Sequence, residues 1–125
     1  MSNIKVALIE DDKDIVSMYT QYFALTGGFD VSAANDGATG LALVAKIKPD
    51  VVLLDMMMPT MSGIEALTKL RALPNRNSFK VIALTNMNDP DTTAKLHQLG
   101  ADDFLVKANT PVAQLGSHIR SVLDR

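Results

Sequence analysis

The sequence predicts an α/β domain: a doubly wound, five-stranded parallel sheet in the order 2-1-3-4-5, with helices on both faces. Three observations predict it. Short apolar runs recur along the chain, and each is followed by a segment of helical period. The runs are apolar almost throughout, as strands buried on both faces must be. No internal linker or low-complexity segment interrupts the alternation. Right-handed crossovers then leave few ways to order the strands.

Each element has its own reason. Ile4 to Ile9 is the first strand. From Asp14 the period changes, with Ile15, Met18, Tyr22 and Leu25 at helical spacing, and Gly27-Gly28 stops the helix. Phe29 to Ala34 alternates as a strand, and Asp36-Gly37 marks a turn. Leu41 to Ile47 is an alanine-rich helix that Pro49 ends. Val51 to Leu54 is the third strand. Ser62 caps a helix carrying Leu67 and Leu70, and Pro74 to Ser78 is a loop. Val81 to Leu84 is the fourth strand. A helix from about Asp91 to Leu99 is closed by Gly100. Phe104 to Val106 is the core of the fifth strand. Thr110-Pro111 then reads as an N-cap and first helical residue, before a last helix striped by Val112, Leu115, Ile119 and Val122.

Composition bounds the function. At 125 residues the chain makes one domain with a single good core. A net charge of −2 with no basic block argues against nucleic acid or an anionic membrane as partner of this domain alone. The absence of cysteine excludes disulfides and thiolate metal sites and fits a cytoplasmic setting. Ile4 to Ile9 is too short for the apolar core of a signal peptide, and no apolar run is long enough to span a bilayer.

Ligands of such sheets bind outside the carboxyl ends of the strands. Strand 1 runs into Glu10, Asp11 and Asp12. Strand 3 ends in Asp55, strand 4 in Thr85 and strand 5 in Lys107. Clustered carboxylates remain ionised together when a cation sits among them. Hard oxygen donors without cysteine or a nearby histidine favour Mg²⁺ over zinc or copper. A metal, a lysine and a hydroxyl side by side suit a phosphoryl group, and Asp55 is the central nucleophile candidate.

Read singly, these residues have plainer explanations. Asp11 and Asp12 could serve only the start of the first helix. Thr85 alone reads as a turn residue, Lys107 alone as a solvated surface lysine, and Phe104 as simple core packing. His97 and His118 have no second ligand at metal spacing and read as surface or half-buried side chains. The joint placement on four strand ends weighs against coincidence.

The motifs EDD (Glu10 to Asp12), D-x-x-M-P-x-x-S-G (Asp55 to Gly63), LT (Leu84, Thr85) and GADDFLVK (Gly100 to Lys107) together resemble a response regulator receiver domain over essentially the whole chain. The resemblance implies a flavodoxin-like (βα)5 fold and a single receiver domain over 1–125, with no output domain in this chain. It implies that Asp55 accepts a phosphoryl group from a histidine kinase or phosphotransfer protein. Asp12, Asp55 and the Met57 carbonyl are then expected to coordinate Mg²⁺, with Asp11 acting through water. Thr85 and Phe104 are expected as switch residues, and Lys107 as the cation beside the phosphoryl group. The domain would be no enzyme beyond its own phosphorylation and dephosphorylation. A downstream effector protein, or an output domain absent from this chain, would read the face of helix 4, strand 5 and helix 5. Whether phosphorylation dimerises the domain is left open.

Three departures stand out. Ala108 follows Lys107 where the family has a cis-linked proline, and a cis bond to alanine costs about 3 kcal/mol, so the loop is either strained or takes another path. Asn86 replaces a small residue, and Thr39-Gly40 an acidic-alanine pair. Met57 and Met87 occupy the positions expected to flank the phosphoryl group. Neither can activate a water, so slow hydrolysis of the acyl phosphate is expected.

Other classes fit less well. A receiver fold used only for docking has no need of Asp11, Asp12, Asp55, Thr85 and Lys107 together. A flavin carrier needs a glycine- and hydroxyl-rich first loop, and here that loop is EDDKD. A phosphatase of the haloacid-dehalogenase type needs a second aspartate where Met57 stands.

Overall fold

The computed structural model describes residues 3–86, 90–107 and 110–125. The order is β1 (Ile4–Ile9), α1 (Lys13–Thr26), β2 (Phe29–Ala34), α2 (Gly37–Ile47), β3 (Val51–Asp55), α3 (Gly63–Leu70), β4 (Lys80–Thr85), α4 (Pro90–Gln98), β5 (Asp103–Val106), a 3-10 turn (Val112–Gln114) and α5 (Leu115–Leu123). The strands form one sheet in the order β2-β1-β3-β4-β5, and every pairing is parallel. This is the predicted doubly wound architecture. No helix of the described residues is long and apolar enough to cross a membrane.

Alternation along the strands divides the core in two. Val6, Leu8, Val51, Leu53, Ile82 and Leu84 pack with Tyr19 and Phe23 of α1 and Leu115, Ile119 and Val122 of α5. Ala7, Ile9, Val52, Leu54, Val81 and Ala83 pack on the other face with α2, α3 and α4, through Val44, Leu67, Leu70 and Leu96. Both faces of the central strands are therefore sealed, and only strand ends are left for chemistry.

The structure moves several local expectations. The buried side of α1 is Tyr19 and Phe23, whereas Met18 is 46% exposed and Leu25 88%. The Phe23 ring lies 4.9 Å from that of Phe29, so the larger aromatic surface takes the sheet side. Asp36-Gly37 is the start of α2, not a separate turn. Asp36 Oδ1 accepts from the Thr39 amide at 2.8 Å and the Thr39 hydroxyl at 2.7 Å. A Cβ at Gly40 would sit 2.6 Å from Ile9 Cδ1, so glycine lets α2 lie against the Ile9 side chain as that side chain now stands. Ser62 caps α3 as predicted, its hydroxyl accepting from the Glu65 amide at 3.1 Å. Thr110 caps nothing. Pro111 itself occupies the cap position without a side-chain bond, and the first turn is 3-10.

At the amino ends of the strands, Arg71 ties two loops together. Its guanidinium donates to the carbonyls of Gly100 at 2.7 Å, Arg76 at 2.6 Å and Phe79 at 3.2 Å, and to Asp102 Oδ2 at 2.6 Å. The same Asp102 oxygen accepts from the Val81 amide at 2.8 Å. The loop before β4 and the loop after α4 are thus held by one side chain.

Candidate functional site

Register brings the candidate residues level. Ile9 pairs with Leu54, Asp55 with Leu84, and Thr85 with Val106. Glu10, Asp55, Thr85 and Lys107 are the residues that follow the apolar runs of β1, β3, β4 and β5. They gather at the carboxyl edge of the sheet for that reason.

Lys107 Nζ stands between two buried carboxylates. It donates to Glu10 Oε1 at 2.8 Å and Asp55 Oδ1 at 3.0 Å. Glu10 is fully buried and Asp55 is 1% exposed. The Met57 amide also donates to Asp55 Oδ1, at 3.0 Å. Two carboxylates face one ammonium, so one negative charge is in excess. Burial pushes the Glu10 carboxyl up to about 8, and the neighbouring Asp55 pushes the same way. Burial would also raise Asp55, but hydrogen bonds from Glu10, the Met57 amide and Lys107 outweigh it and hold Asp55 below the usual range. Burial works against the charge on Lys107 too, and its two carboxylate partners raise its pKa nonetheless. Burial and Asp55 thus push Glu10 toward its protonated form, while hydrogen bonds favour the anion at Asp55.

Carboxylate oxygens of Glu10, Asp11 and Asp55 lie within 4.8 Å of one another, which makes them the metal-capable acidic group among the described residues. Asp12 is not in it. Its Oδ1 accepts from the Asp14 amide at 2.9 Å and the Ile15 amide at 3.4 Å, which makes it the N-cap of α1. Asp11 and Glu10 face Asp55, whereas Asp12, expected as a metal ligand, stands one residue further on with its carboxylate on the helix amides. The EDD motif by itself assigns Glu10 no role. The signal was in the sequence, because Glu10 is the residue that follows the first apolar run, as Asp55 is after the third.

Thr85 is buried at 5% exposure and lines a mostly apolar cavity of about 320 Å³ with Met56, Met57, Ile64 and Leu96. Phe104 is half-buried, packed against the core on the α2–α4 side and edge-on to His97 at 6.2 Å between ring centroids. The three consecutive methionines differ: Met58 is 8% exposed, Met56 is half-buried and Met57 is 65% exposed. Met87 and Ala108, with the Lys107-Ala108 bond, lie outside the described residues.

The sequence matches the response regulator receiver domain family over residues 6–119. The chain belongs to that family. As a receiver domain it is 34% identical over its full 125 residues to the transcriptional regulatory protein PrrA of Mycobacterium leprae, covering 52% of that protein. It is 31% identical over 123 residues to the alkaline phosphatase synthesis transcriptional regulatory protein PhoP of Bacillus subtilis, covering 98% of this chain and 50% of PhoP. This receiver domain thus spans about half the length of these curated relatives. Its fold superposes on the chemotaxis protein CheY4 of Vibrio cholerae with a TM-score of 0.89 at 26% identity, covering 97% of this chain and 99% of that one. The receiver domain of Francisella response regulator 1452 gives a TM-score of 0.87 at 31% identity, with 98% of each chain covered.

Proposed function

We propose that this receiver domain is a phosphoryl-accepting switch of a two-component relay, with Asp55 as the acceptor. The observation that carries the reading is the Lys107 bridge, which sets an ammonium against the buried Asp55 carboxylate at the carboxyl edge of the sheet. An Asp55 oxygen attacks the phosphorus of a phosphohistidine on a kinase or phosphotransfer protein. The new P–O bond forms as the P–N bond breaks, and the imidazole leaves with a proton from solvent. Lys107 offsets the charge gathering on the phosphoryl oxygens, and the Thr85 hydroxyl is the nearby donor. The donor set of Glu10, Asp11 and Asp55 is all hard oxygen, which suits Mg²⁺. These residues would hold the ion, with the Met57 carbonyl as the further ligand implied by family. Bound there, Mg²⁺ supplies positive charge to the transferring group. The added phosphoryl charge then biases the α4, β5 and α5 face, with Thr85 and Phe104 as the moving parts, toward a state that an effector protein or output domain reads.

The test is acetyl phosphate with Mg²⁺, followed by intact mass. The wild-type chain gains one phosphoryl group and Asp55→Asn gains none. A wild-type chain that gains none would instead be a docking module that works without phosphorylation.

A further inference from the structure

We propose that Met57 is an oxidation site through which peroxide-class oxidants shorten the life of the phosphorylated state. The proposal rests on Asp55 being the acceptor, as argued above. Thioether oxidation follows exposure. Met57 is 65% exposed, and its neighbours Met56, Met58 and Met61 are half-buried or buried. Met18 is also exposed, at 46%, but lies on α1, away from the β3–α3 segment.

Two further observations tie the Met57 sulfur to the chemistry. Its own amide holds Asp55 Oδ1 at 3.0 Å, so the residue is anchored beside the acceptor. Its side chain shares the apolar cavity that Thr85 lines, at the end of the neighbouring strand. A thioether in that wall is only a weak hydrogen-bond acceptor and holds a water poorly.

The oxidation balances with hydrogen peroxide alone. The sulfur lone pair attacks one peroxide oxygen, the O–O bond breaks, and the other oxygen leaves as water after taking the proton. Sulfur is oxidised by two electrons to the sulfoxide and the peroxide is reduced. The product places a strong acceptor oxygen in the cavity wall. A water donating to that oxygen keeps a lone pair free for the phosphorus, as it would beside a side-chain amide.

The experiment has two readouts. The folded protein is treated with hydrogen peroxide and mapped by peptide mass. It is then phosphorylated with acetyl phosphate and Mg²⁺, the donor is removed, and the phosphoryl mass is followed over time. Met57 should oxidise ahead of Met56 and Met58, and the half-life should fall several-fold. Met57→Leu, whatever its own starting half-life, should keep it after peroxide. The proposal is overturned if Met56 or Met58 reacts first, if oxidised and untreated wild type decay alike, or if the shortening persists in Met57→Leu. An untreated wild type that never gains a phosphoryl group overturns the acceptor reading as well, which the intact mass reveals before any peroxide is added.

Discussion

Glu10 concentrates the electrostatics of the site in one side chain. Its carboxyl sits at about 8 in the metal-free fold, against 4.5 when unperturbed. Between those values the folded chain holds a proton that the unfolded chain has lost. The associated stability is fully present below 4.5 and disappears as pH rises through 8. Asp55 works in the opposite sense, since its lowered carboxyl adds stability that is lost only in acid. Urea unfolding in EDTA at pH 5, 7 and 9 should show the wild type weakening across that window. Glu10→Gln should be nearly flat there, and an equal slope in both proteins would count against a protonated Glu10. The position of Glu10 was legible in the sequence, as the residue after an apolar run. Its proton was not, because the excess charge exists only once Lys107 and Asp55 are brought to it from other strands.

At the scale of elements, the consecutive acids Asp11 and Asp12 do separate jobs. Asp12→Ala should lose the α1 cap, at about 1 kcal/mol of stability, and keep Mg²⁺ binding and phosphorylation. Asp11→Ala should do the reverse, with melting little changed and Mg²⁺ affinity lost. Paired thermal melts and Mg²⁺ titrations check both, and a loss of Mg²⁺ binding in Asp12→Ala would restore the metal role first expected of it. The helices themselves were legible from period and caps, Ser62 above all. The facing of α1 was not. Ile15, Met18, Tyr22 and Leu25 form one valid helical ladder, and Tyr19 with Phe23 form another. Spacing cannot choose between them. The choice falls to packing such as that of the Phe23 ring on Phe29 of β2, a contact made only in the folded chain.

The whole molecule was the most legible level, since five apolar runs joined by helical segments admit few arrangements. The ion-pair map was the least. Asp102 and Asp103 stand together in one motif, yet Asp102 binds Arg71 while Asp103 meets His118 at 3.0 Å and Arg125 at 3.0 Å. Such partners lie far along the chain and leave no periodic trace. A molecule-wide prediction follows from the acidic edge. A ligand bound only by the folded state stabilises by mass action, by about 2.7 kcal/mol at a hundred times its dissociation constant. Saturating Mg²⁺ should therefore raise the melting temperature by several degrees, and more at pH 8 than at pH 6, because the ion competes with the Glu10 proton. Calorimetry at the two values checks it. An Asp11→Ala, Asp55→Asn double variant should show no rise.

Arg71 sets a fulcrum. By clamping Gly100, just past the carboxyl end of α4, to the far side of the sheet from Asp55, it leaves α4 a lever pinned at one end. Displacement begun beside Thr85 must then grow toward the amino end of α4 and vanish toward Gly100. Hydrogen exchange should report that gradient on phosphorylation, with the amides of Leu99, Gly100 and Ala101 unchanged. Arg71→Ala should release the pin, lower stability by about 2 kcal/mol through its lost charged hydrogen bonds, and spread the exchange evenly along the helix.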